Sequence, residues 1–179
     1  MRIPELTGVD EFLRWEEQQD QRYEFAAGTV TLFAGVTRRH ELVVGNLLSA
    51  LRRTLGAGRV SGSSLKLVTQ HSSRYPDIFV GAHPRDRLEG SEARDPTLLI
   101  EVLSELTDAT DRGPKAEEYR TLETLQEYVL VDSRERSVQT IRRSGKDWIT
   151  QLPVLAGAVR FESVDVEITF DAIYAGTKL

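Results

Sequence analysis

The sequence predicts an α/β domain in which helices flank a central mixed β-sheet. Three observations lead to this prediction: apolar residues recur at helical spacing in two segments, short apolar runs bounded by turn residues recur between and after them, and helical and strand-like segments alternate. The chain has 179 residues, of which 40% are hydrophobic and 28% are charged, a composition typical of one domain with its own core. We therefore expect residues 1–179 to form a single domain.

The first third of the chain is predicted to hold a helix and a β-hairpin. Thr7 and Asp10 stand at the spacing of a capping box, and apolar residues follow at helical spacing, which predicts a helix over residues 8–19. An Ala-Gly pair then separates two short runs at residues 22–26 and 29–34. This arrangement is typical of two strands joined by a tight turn.

A long amphipathic helix and several strands are predicted next. Apolar residues recur every three or four positions across residues 37–55, and the glycines that follow end this helix. Another helix begins at Pro114, because proline is favoured at the first helical position, and it extends to residue 123. Short apolar runs predict strands at residues 65–70, 76–81, 97–103, 128–132, 137–143 and 147–152.

Composition excludes several classes of protein. The sequence has no cysteine, so disulfides, zinc–thiolate sites and cysteine nucleophiles are excluded. No apolar run approaches the ~18 residues of a membrane span, and the N-terminus lacks the pattern of a signal peptide. We therefore expect a cytoplasmic protein without a membrane partner. The net charge of −5 means that any nucleic-acid site must be a local basic patch. His71 and His83 lack metal-ligand spacing and are expected on the surface.

Glu101 is a carboxylate in the middle of an apolar strand. Side chains alternate between the two faces of a strand, so Glu101 is expected on the face opposite Ile100 and Val102. An unpaired buried charge is strongly unfavourable, so Glu101 must be paired, protonated or bound to a metal. A structural glutamate in a salt bridge is the alternative to a functional one.

Asp77 stands at the head of another short apolar strand, directly after Pro76. Taken alone, it would be explained as a turn-forming residue. If the strands of Asp77 and Glu101 are neighbours in the sheet, however, the two carboxylates can project to the same side and meet. Adjoining carboxylates repel each other unless a cation lies between them. All-oxygen ligands suit Mg²⁺ or Mn²⁺, so this pair predicts a divalent-metal site.

Lys115 is a candidate cationic partner from the protein itself. It opens the helix that begins at Pro114, and the chain after Glu101 can fold back to bring it beside the carboxylates. A lysine next to a metal and a water can orient that water or stabilise the charge that develops on a phosphate. The alternative is a solvated lysine on the helix surface that pairs with Glu118 or Tyr119.

Together these residues resemble the PD-(D/E)xK nuclease superfamily. Its usual pattern places the lysine two positions after the glutamate; here that position is Leu103, and Lys115 matches the branches in which the lysine lies on the next helix. Segments across residues 5–170 are similar to the Uma-two family of restriction-endonuclease-like proteins. The most specific match is EVLSELTDATDRGPKAEEY at residues 101–119. Weaker matches are YEFAAGTV, RYPDI and EYVLVD.

The resemblance implies a catalytic role for the residues that match the superfamily pattern. Asp77 and Glu101 would bind the divalent metal, with the Val102 carbonyl as an additional ligand. Lys115 would position the hydrolytic water or the scissile phosphate.

Two further residues are implied by the Uma-two motifs. Glu24 would add a third acidic group near the metal; the alternative is a charged residue on the exposed face of the hairpin. His40 would bind a phosphate or carry a proton near neutral pH; the alternative is a histidine on the helix surface. Ser104, Thr107 and Asp111 are expected to order the loop before the next helix and to cap it.

The sequence therefore predicts a metal-dependent phosphodiesterase, namely a DNA endonuclease. Because cleavage of both strands needs two sites with the symmetry of the duplex, we expect a homodimer. Two alternatives are a catalytically silent nucleic-acid-binding or scaffold protein that retains the fold, and a hydrolase that acts on another phosphoester. The arginines expected to supply the local basic patch are Arg38, Arg39, Arg52, Arg53, Arg112 and Arg120.

Overall fold

The structure confirms an α/β architecture with a mixed central sheet. It is a computed structural model that describes residues 5–33, 35–81 and 92–179. Its helices are α1 (Val9–Glu16), α2 (Arg38–Leu55), α3 (Asp108–Arg112), α4 (Pro114–Arg120) and α5 (Phe170–Ile173). Its strands are β1 (Tyr23–Ala26), β2 (Thr29–Leu32), β3 (Val60–Gly62), β4 (Lys66–Val68), β5 (Ser72–Arg74), β6 (Ile78–Gly81), β7 (Glu92–Ala93), β8 (Pro96–Leu103), β9 (Glu127–Asp132), β10 (Val138–Ser144), β11 (Asp147–Thr150), β12 (Ala158–Phe161) and β13 (Val166–Thr169).

The central sheet has six strands in the order β11-β10-β9-β8-β6-β3. Its neighbouring strands are antiparallel except for β8 and β9, which are parallel. A parallel pair cannot be joined by a tight turn, so the chain leaves β8, passes through α3 and α4, and returns in β9. A second sheet has the order β2-β1-β5-β4-β7, and β12 pairs with β13 in a separate ribbon.

Each face of the central sheet carries its own apolar cluster. On one face, Val102 of β8 packs with side chains from α2, α5 and the β12–β13 ribbon. On the other face, Leu99 and Leu103 pack with Tyr119 of α4 and with apolar residues of the second sheet. The predicted alternation along β8 is therefore confirmed, and it directs Glu101 to the face that α4 covers.

Local sequence explains where the elements that border the cavity begin and end. The Thr37 hydroxyl accepts a hydrogen bond from the His40 N–H at 3.2 Å and caps α2, which ends at Gly56 with a φ of 84°. In the β1–β2 turn, Ala27 and Gly28 have φ values of 49° and 76°, and a type I′ hairpin turn requires such positive values. The predicted hairpin and long helix are both confirmed.

The start of α1 differs from the predicted capping box. Thr7 donates its N–H and its hydroxyl to the Glu11 carboxylate, both at 2.9 Å, instead of pairing with Asp10. Gly8 occupies the N-cap position without a side-chain cap. The longer glutamate side chain can reach back over one turn. α1 then ends at Glu16, earlier than predicted.

Several short elements were not predicted: β3, β5, β7, β12, β13, α3 and α5. β3, β5 and β7 contain two or three residues each, which is too few to show an alternating pattern. β5 is also polar, with the sequence Ser-Ser-Arg. Among the predicted elements, α4 ends at Arg120, before residue 123, because the chain turns there towards β9. Ala34, predicted to end the hairpin, lies outside the described residues.

Candidate active site

A cavity of about 160 Å³ lies between the β1–β2 hairpin, the first turn of α2 and the turn that follows β8. It is lined by all the side chains that the sequence predicts to be catalytic: Glu24, His40, Asp77, Glu101 and Lys115. All of them are buried. Charged side chains are rarely buried without partners, so the contacts among these residues decide what the cavity can do.

Asp77 and Glu101 adjoin across two neighbouring strands. β6 and β8 are antiparallel, and Ile78 pairs with Ile100, so Asp77 stands opposite Glu101. The Asp77 N–H donates to Glu101 Oε2 at 3.4 Å, and the Val102 N–H donates to Asp77 Oδ2 at 2.8 Å. The structure thus brings these residues together, and a metal-binding role of the Val102 carbonyl stays a prediction.

Lys115 is surrounded by three carboxylates. Its Nζ lies 3.2 Å from Asp111 Oδ1, 3.3 Å from Glu101 Oε1 and 3.6 Å from Glu24 Oε1. Burial opposes its charge, but these carboxylates outweigh burial and raise the pKa of Lys115, so it stays an ammonium ion. The alternative of a solvated lysine is wrong, since its side chain is only 7% exposed.

Glu101 has more negative surroundings than one lysine neutralises. Burial raises its pKa, Lys115 lowers it, and the other nearby carboxylates raise it again, so the pKa of Glu101 is held well above its usual range. Its Oε1 also accepts a hydrogen bond from the Tyr119 hydroxyl at 3.0 Å. Burial is the largest of these causes, so the ion pair with Lys115 offsets only part of the cost of burying this carboxylate.

Asp111 is a member of this cluster that sequence reasoning missed. The sequence predicts that it orders the loop before α4 with Ser104 and Thr107. Those two do order the turn, with hydroxyl oxygens 3.2 Å apart, but Asp111 is buried in α3 beside Lys115. The two residues have the i,i+4 spacing of a helical ion pair. The sequence analysis did not interpret this spacing as a helical ion pair, because a Gly-Pro step separates α3 from α4.

His40 reaches the cavity from the first turn of α2. Its Nε2 lies 3.1 Å from Asp77 Oδ2, and its Nδ1 has no hydrogen-bond partner among the described residues. Burial lowers the pKa of His40, but the hydrogen bond and charge of Asp77 outweigh burial and raise it. The surface alternative is wrong for His40, which is buried. His71 is exposed as predicted, and His83 lies outside the described residues.

Glu24 is held by neighbours from two elements. Arg74 of β5 lies 3.1 Å from Glu24 Oε2 and 3.0 Å from Glu118 Oε2. The Tyr75 N–H donates to Glu24 Oε1 at 2.9 Å, the same oxygen that faces Lys115. The alternative of an exposed hairpin residue is therefore wrong. Arg74, which the sequence analysis treats only as part of a motif, positions Glu24.

The fold and the cavity agree with a known protein family. The family model Uma2, described as "Putative restriction endonuclease", matches residues 9–169. The chain belongs to the Uma2 family. This is the Uma-two family that the sequence motifs resemble, and the match includes the whole cavity cluster from Glu24 to Lys115. Membership of the Uma2 family supports a nuclease-like function.

Relatives of this Uma2 chain cover nearly its full length. The protein slr1290 of Synechocystis sp., described as uncharacterized, is 29% identical over 179 residues, 97% of this chain and 94% of that protein. A second uncharacterized Synechocystis protein, sll1609, is 30% identical over 89% of this chain and 91% of its own length. A solved structure from Anabaena variabilis, described as "a putative nuclease belonging to DUF820", has a TM-score of 0.76 at 16% identity, covering 94% of this chain and 98% of that chain. It shares the fold.

Two predictions about partners concern the surface of the Uma2 chain. No helix in the described part of the chain is long and apolar enough to cross a membrane. Of the arginines predicted to form a basic patch, Arg112 pairs with Asp108, whereas Arg52 is exposed and keeps its charge while it donates to the Val60 carbonyl. Arg38 and Arg39 are exposed and form no ion pair with another described residue. A carboxylate thus offsets the charge of Arg112, and the patch formed by the other arginines stays a prediction.

The donor set of the Uma2 cavity would suit a divalent cation that is bound through few protein ligands. No group of three or more histidine, aspartate or glutamate side chains within the described ranges has the arrangement of a closed metal site. Mg²⁺, however, is usually held by one or two carboxylates together with water and substrate phosphate. Asp77 and Glu101 supply such a pair of hard oxygen donors. The surplus of carboxylates around Lys115 supplies the negative charge that attracts a cation.

Arg134 ties the end of β9 to α3, the helix that carries Asp111. Its guanidinium lies 2.6 Å from both Asp132 Oδ2 and Asp108 Oδ2. Burial raises the pKa of these two carboxyls, but hydrogen bonds from Arg134 outweigh burial and hold the pKa of each below its usual range. A lowered pKa in the folded state stabilises the protein above the pKa of the unfolded state. This contribution is lost as the pH falls through the folded-state values.

The Arg134→Gln variant is expected to lower the free energy of unfolding at neutral pH by about 1 kcal/mol, since the contact is partly exposed. Below about pH 4, where both carboxyls take up protons, the difference from the wild type should shrink towards zero. Urea unfolding across a pH series measures both effects. Arg136→Gln is the control because Arg136 pairs with Asp171, whose side chain is 91% exposed. An equal pH dependence in both variants would contradict the prediction.

Proposed function

We propose that this protein is a metal-dependent phosphodiesterase that cleaves DNA as an endonuclease. The observation that carries the proposal is the convergence of Asp77, Glu101 and Lys115 in one cavity, with side chains 10%, 3% and 7% exposed. Buried charges in a cavity, with a surplus of carboxylates around one ammonium ion, are typical of catalytic sites. The Uma2 description supports the same chemistry.

The proposed metal ligands are the Asp77 and Glu101 carboxylates, with the Val102 carbonyl as an additional ligand. Mg²⁺ or Mn²⁺ would polarise the scissile phosphate and lower the pKa of a coordinated water. The His40 ring and the Val102 N–H both contact Asp77 Oδ2. These two contacts hold the Asp77 carboxylate in one orientation and leave Oδ1 for a ligand.

The proposed role of Lys115 is to stabilise negative charge on the phosphate as the leaving oxygen departs. Asp111 and Glu24 hold its Nζ in addition to Glu101, so Lys115 would keep its position when Glu101 binds a cation. Its raised pKa favours an electrostatic role over that of a general base. His40 would bind a phosphate oxygen or carry a proton through Nδ1, and Glu24 would be the third acidic group.

For duplex DNA the proposal includes a homodimer in the cytoplasm, each subunit being one domain over residues 1–179. The two strands of a duplex are related by two-fold symmetry, and one cavity can serve only one strand at a time. Two copies of the Asp77–Glu101 pair would then be needed for a double-strand break.

The proposal is tested by calorimetric titration of Mn²⁺ and Mg²⁺ into the wild type and into Asp77→Ala/Glu101→Ala. Cleavage of supercoiled plasmid and of circular single-stranded DNA is followed on the same samples. The matched control is Glu123→Ala/Asp147→Ala, which removes two exposed carboxylates outside the cavity. We expect metal binding and metal-dependent cleavage in the wild type and the control, and neither in the Asp77→Ala/Glu101→Ala variant.

The other outcomes separate the alternatives. Metal binding without cleavage of either DNA would overturn the assignment of the substrate and favour a hydrolase of another phosphoester. If the wild type binds no metal, the carboxylates are structural and the silent scaffold protein is the better description. The described residues contain no cluster of three potential metal ligands, and this observation supports that alternative.

A further inference from the structure

The mouth of the catalytic cavity is apolar although its floor is charged. Leu32, Val36 and Leu106 line the cavity and are 45%, 39% and 77% exposed. Beneath them lie the nearly buried carboxylates of Asp77 and Glu101. Exposed apolar residues that gather around a functional cavity mark a binding surface.

The apolar side chains come from two segments of the chain that border the cavity. Leu32 is the last residue of β2, Phe33 and Val36 follow it, and Leu106 lies in the turn between β8 and α3. The Phe33 ring packs on Tyr75 with ring centroids 5.5 Å apart, so the first segment has an aromatic backing. We call Leu32, Phe33, Val36 and Leu106 the apolar rim.

An apolar rim suits the bases of a nucleic acid better than its backbone. A stacked duplex presents charged phosphates and sugars on its outer surface, and its base faces are hidden. A single strand exposes base faces that stack on aromatic side chains without regard to sequence, and these faces can also be buried against apolar side chains. Its flexible backbone can also bend to bring a phosphate down to the buried Asp77 and Glu101.

The charges next to the rim fit a short stretch of backbone. Arg38 and Arg39 are exposed, follow Val36 in the chain and form no ion pair with another described residue. His40, one position further, lines the cavity with an Nδ1 that lacks a hydrogen-bond partner among the described residues. These groups complement a few phosphates at the opening, whereas a duplex is normally bound through a larger number of cationic contacts.

We infer that the substrate of this cavity is single-stranded DNA, held with its bases against the apolar rim and one phosphate turned into the cavity. The cleavage of that strand rests on the proposed phosphodiesterase function, whereas the preferential binding does not. The two can therefore be tested separately. A single strand also needs one active site, so the reason for a homodimer applies only to duplex substrates.

The test is fluorescence anisotropy with a labelled single-stranded oligonucleotide and a hairpin duplex of the same sequence, in EDTA so that neither is cut. The variants are Leu106→Ser and the matched control Leu152→Ser; Leu152 is 89% exposed and lies outside the cavity. We expect the wild type to bind the single strand about tenfold more tightly, as stacking of one or two bases allows. Leu106→Ser should bind the single strand about fivefold more weakly than the wild type, since an apolar contact is removed. Leu152→Ser should bind it with the affinity of the wild type.

Equal or tighter binding of the duplex would overturn the inference, and so would equal effects of the two leucine variants. Cleavage of both oligonucleotides with Mn²⁺ is measured in parallel. If only the duplex is cut, the inference fails while the phosphodiesterase proposal stands. If the single strand is preferred and depends on Leu106 but is never cut, the binding inference stands and the proposed catalytic function fails.

Discussion

Glu101→Gln is expected to reduce metal-dependent DNA cleavage by about 10²- to 10³-fold, because an uncharged amide removes several kcal/mol of metal-centred stabilisation. The fold should be unaffected. Glutamine has nearly the same shape, and its oxygen can still accept hydrogen bonds from Lys115 and Tyr119. Because the pKa of Glu101 is raised in the folded protein, its ionised form does not stabilise the metal-free state. The melting temperature should therefore stay close to that of the wild type.

Glu127 provides the matched control, since it is a buried glutamate on β9 outside the cavity. Its carboxylate accepts hydrogen bonds from Arg142 Nε at 2.9 Å and from the Ser163 hydroxyl at 2.8 Å. Glu127→Gln should lower the free energy of unfolding by about 1–3 kcal/mol and leave cleavage by the folded protein unchanged. Urea unfolding and DNA cleavage with Mn²⁺ measure the two effects. Near-wild-type cleavage by Glu101→Gln would rule out its role as a metal ligand.

Lys115→Met is expected to lower the free energy of unfolding by about 3–5 kcal/mol, because it leaves buried carboxylates without their cation. The lost contacts are those to Asp111, Glu101 and Glu24. Methionine has a similar length, so the loss comes from charge and not from packing. Urea unfolding of the metal-free protein at neutral pH measures this effect.

A double variant separates this electrostatic effect from a general loss of packing. Lys115→Met/Asp111→Asn removes one of the stranded carboxylates, and it should recover about 1–2 kcal/mol relative to Lys115→Met alone. The double variant should still lack DNA cleavage because the phosphate-stabilising cation is gone. A double variant that is no more stable than Lys115→Met would show that the carboxylates do not depend on Lys115.

The meeting of Asp77 and Glu101 could be predicted on one condition, namely that their two strands are neighbours in the sheet. The alternation of side chains along β8 and the antiparallel pairing of β8 with β6 are enough to direct both residues to one place. Lys115 needed more information. From the sequence the chain after β8 can fold back to the same face, and the resemblance to a family with a displaced lysine favours that path, because the path of a crossover is set by tertiary packing.

The residues that sequence reasoning missed depend on contacts between distant segments. Arg74 is buried in the short polar strand β5 because Glu24 and Glu118, from β1 and α4, neutralise it on two sides. No local pattern around Ser72–Arg74 indicates that environment. Asp111 was missed for the opposite reason: its spacing to Lys115 is local, but the Gly-Pro step suggested a loop where α3 forms. The apolar rim was equally invisible, since a leucine in a turn has no pattern of its own.

The four carboxylates of the cavity, Glu24, Asp77, Glu101 and Asp111, lie on four different parts of the chain: β1, the start of β6, β8 and α3. Glu101 and Asp111 are ten residues apart, whereas Glu24 and Asp77 reach the cavity from segments much further away along the chain. Contacts between residues so far apart in sequence are slow to form, because long loops must close first. A nascent or partly unfolded chain therefore has no assembled cluster, and hydrolytic activity would arise only with the completed native state.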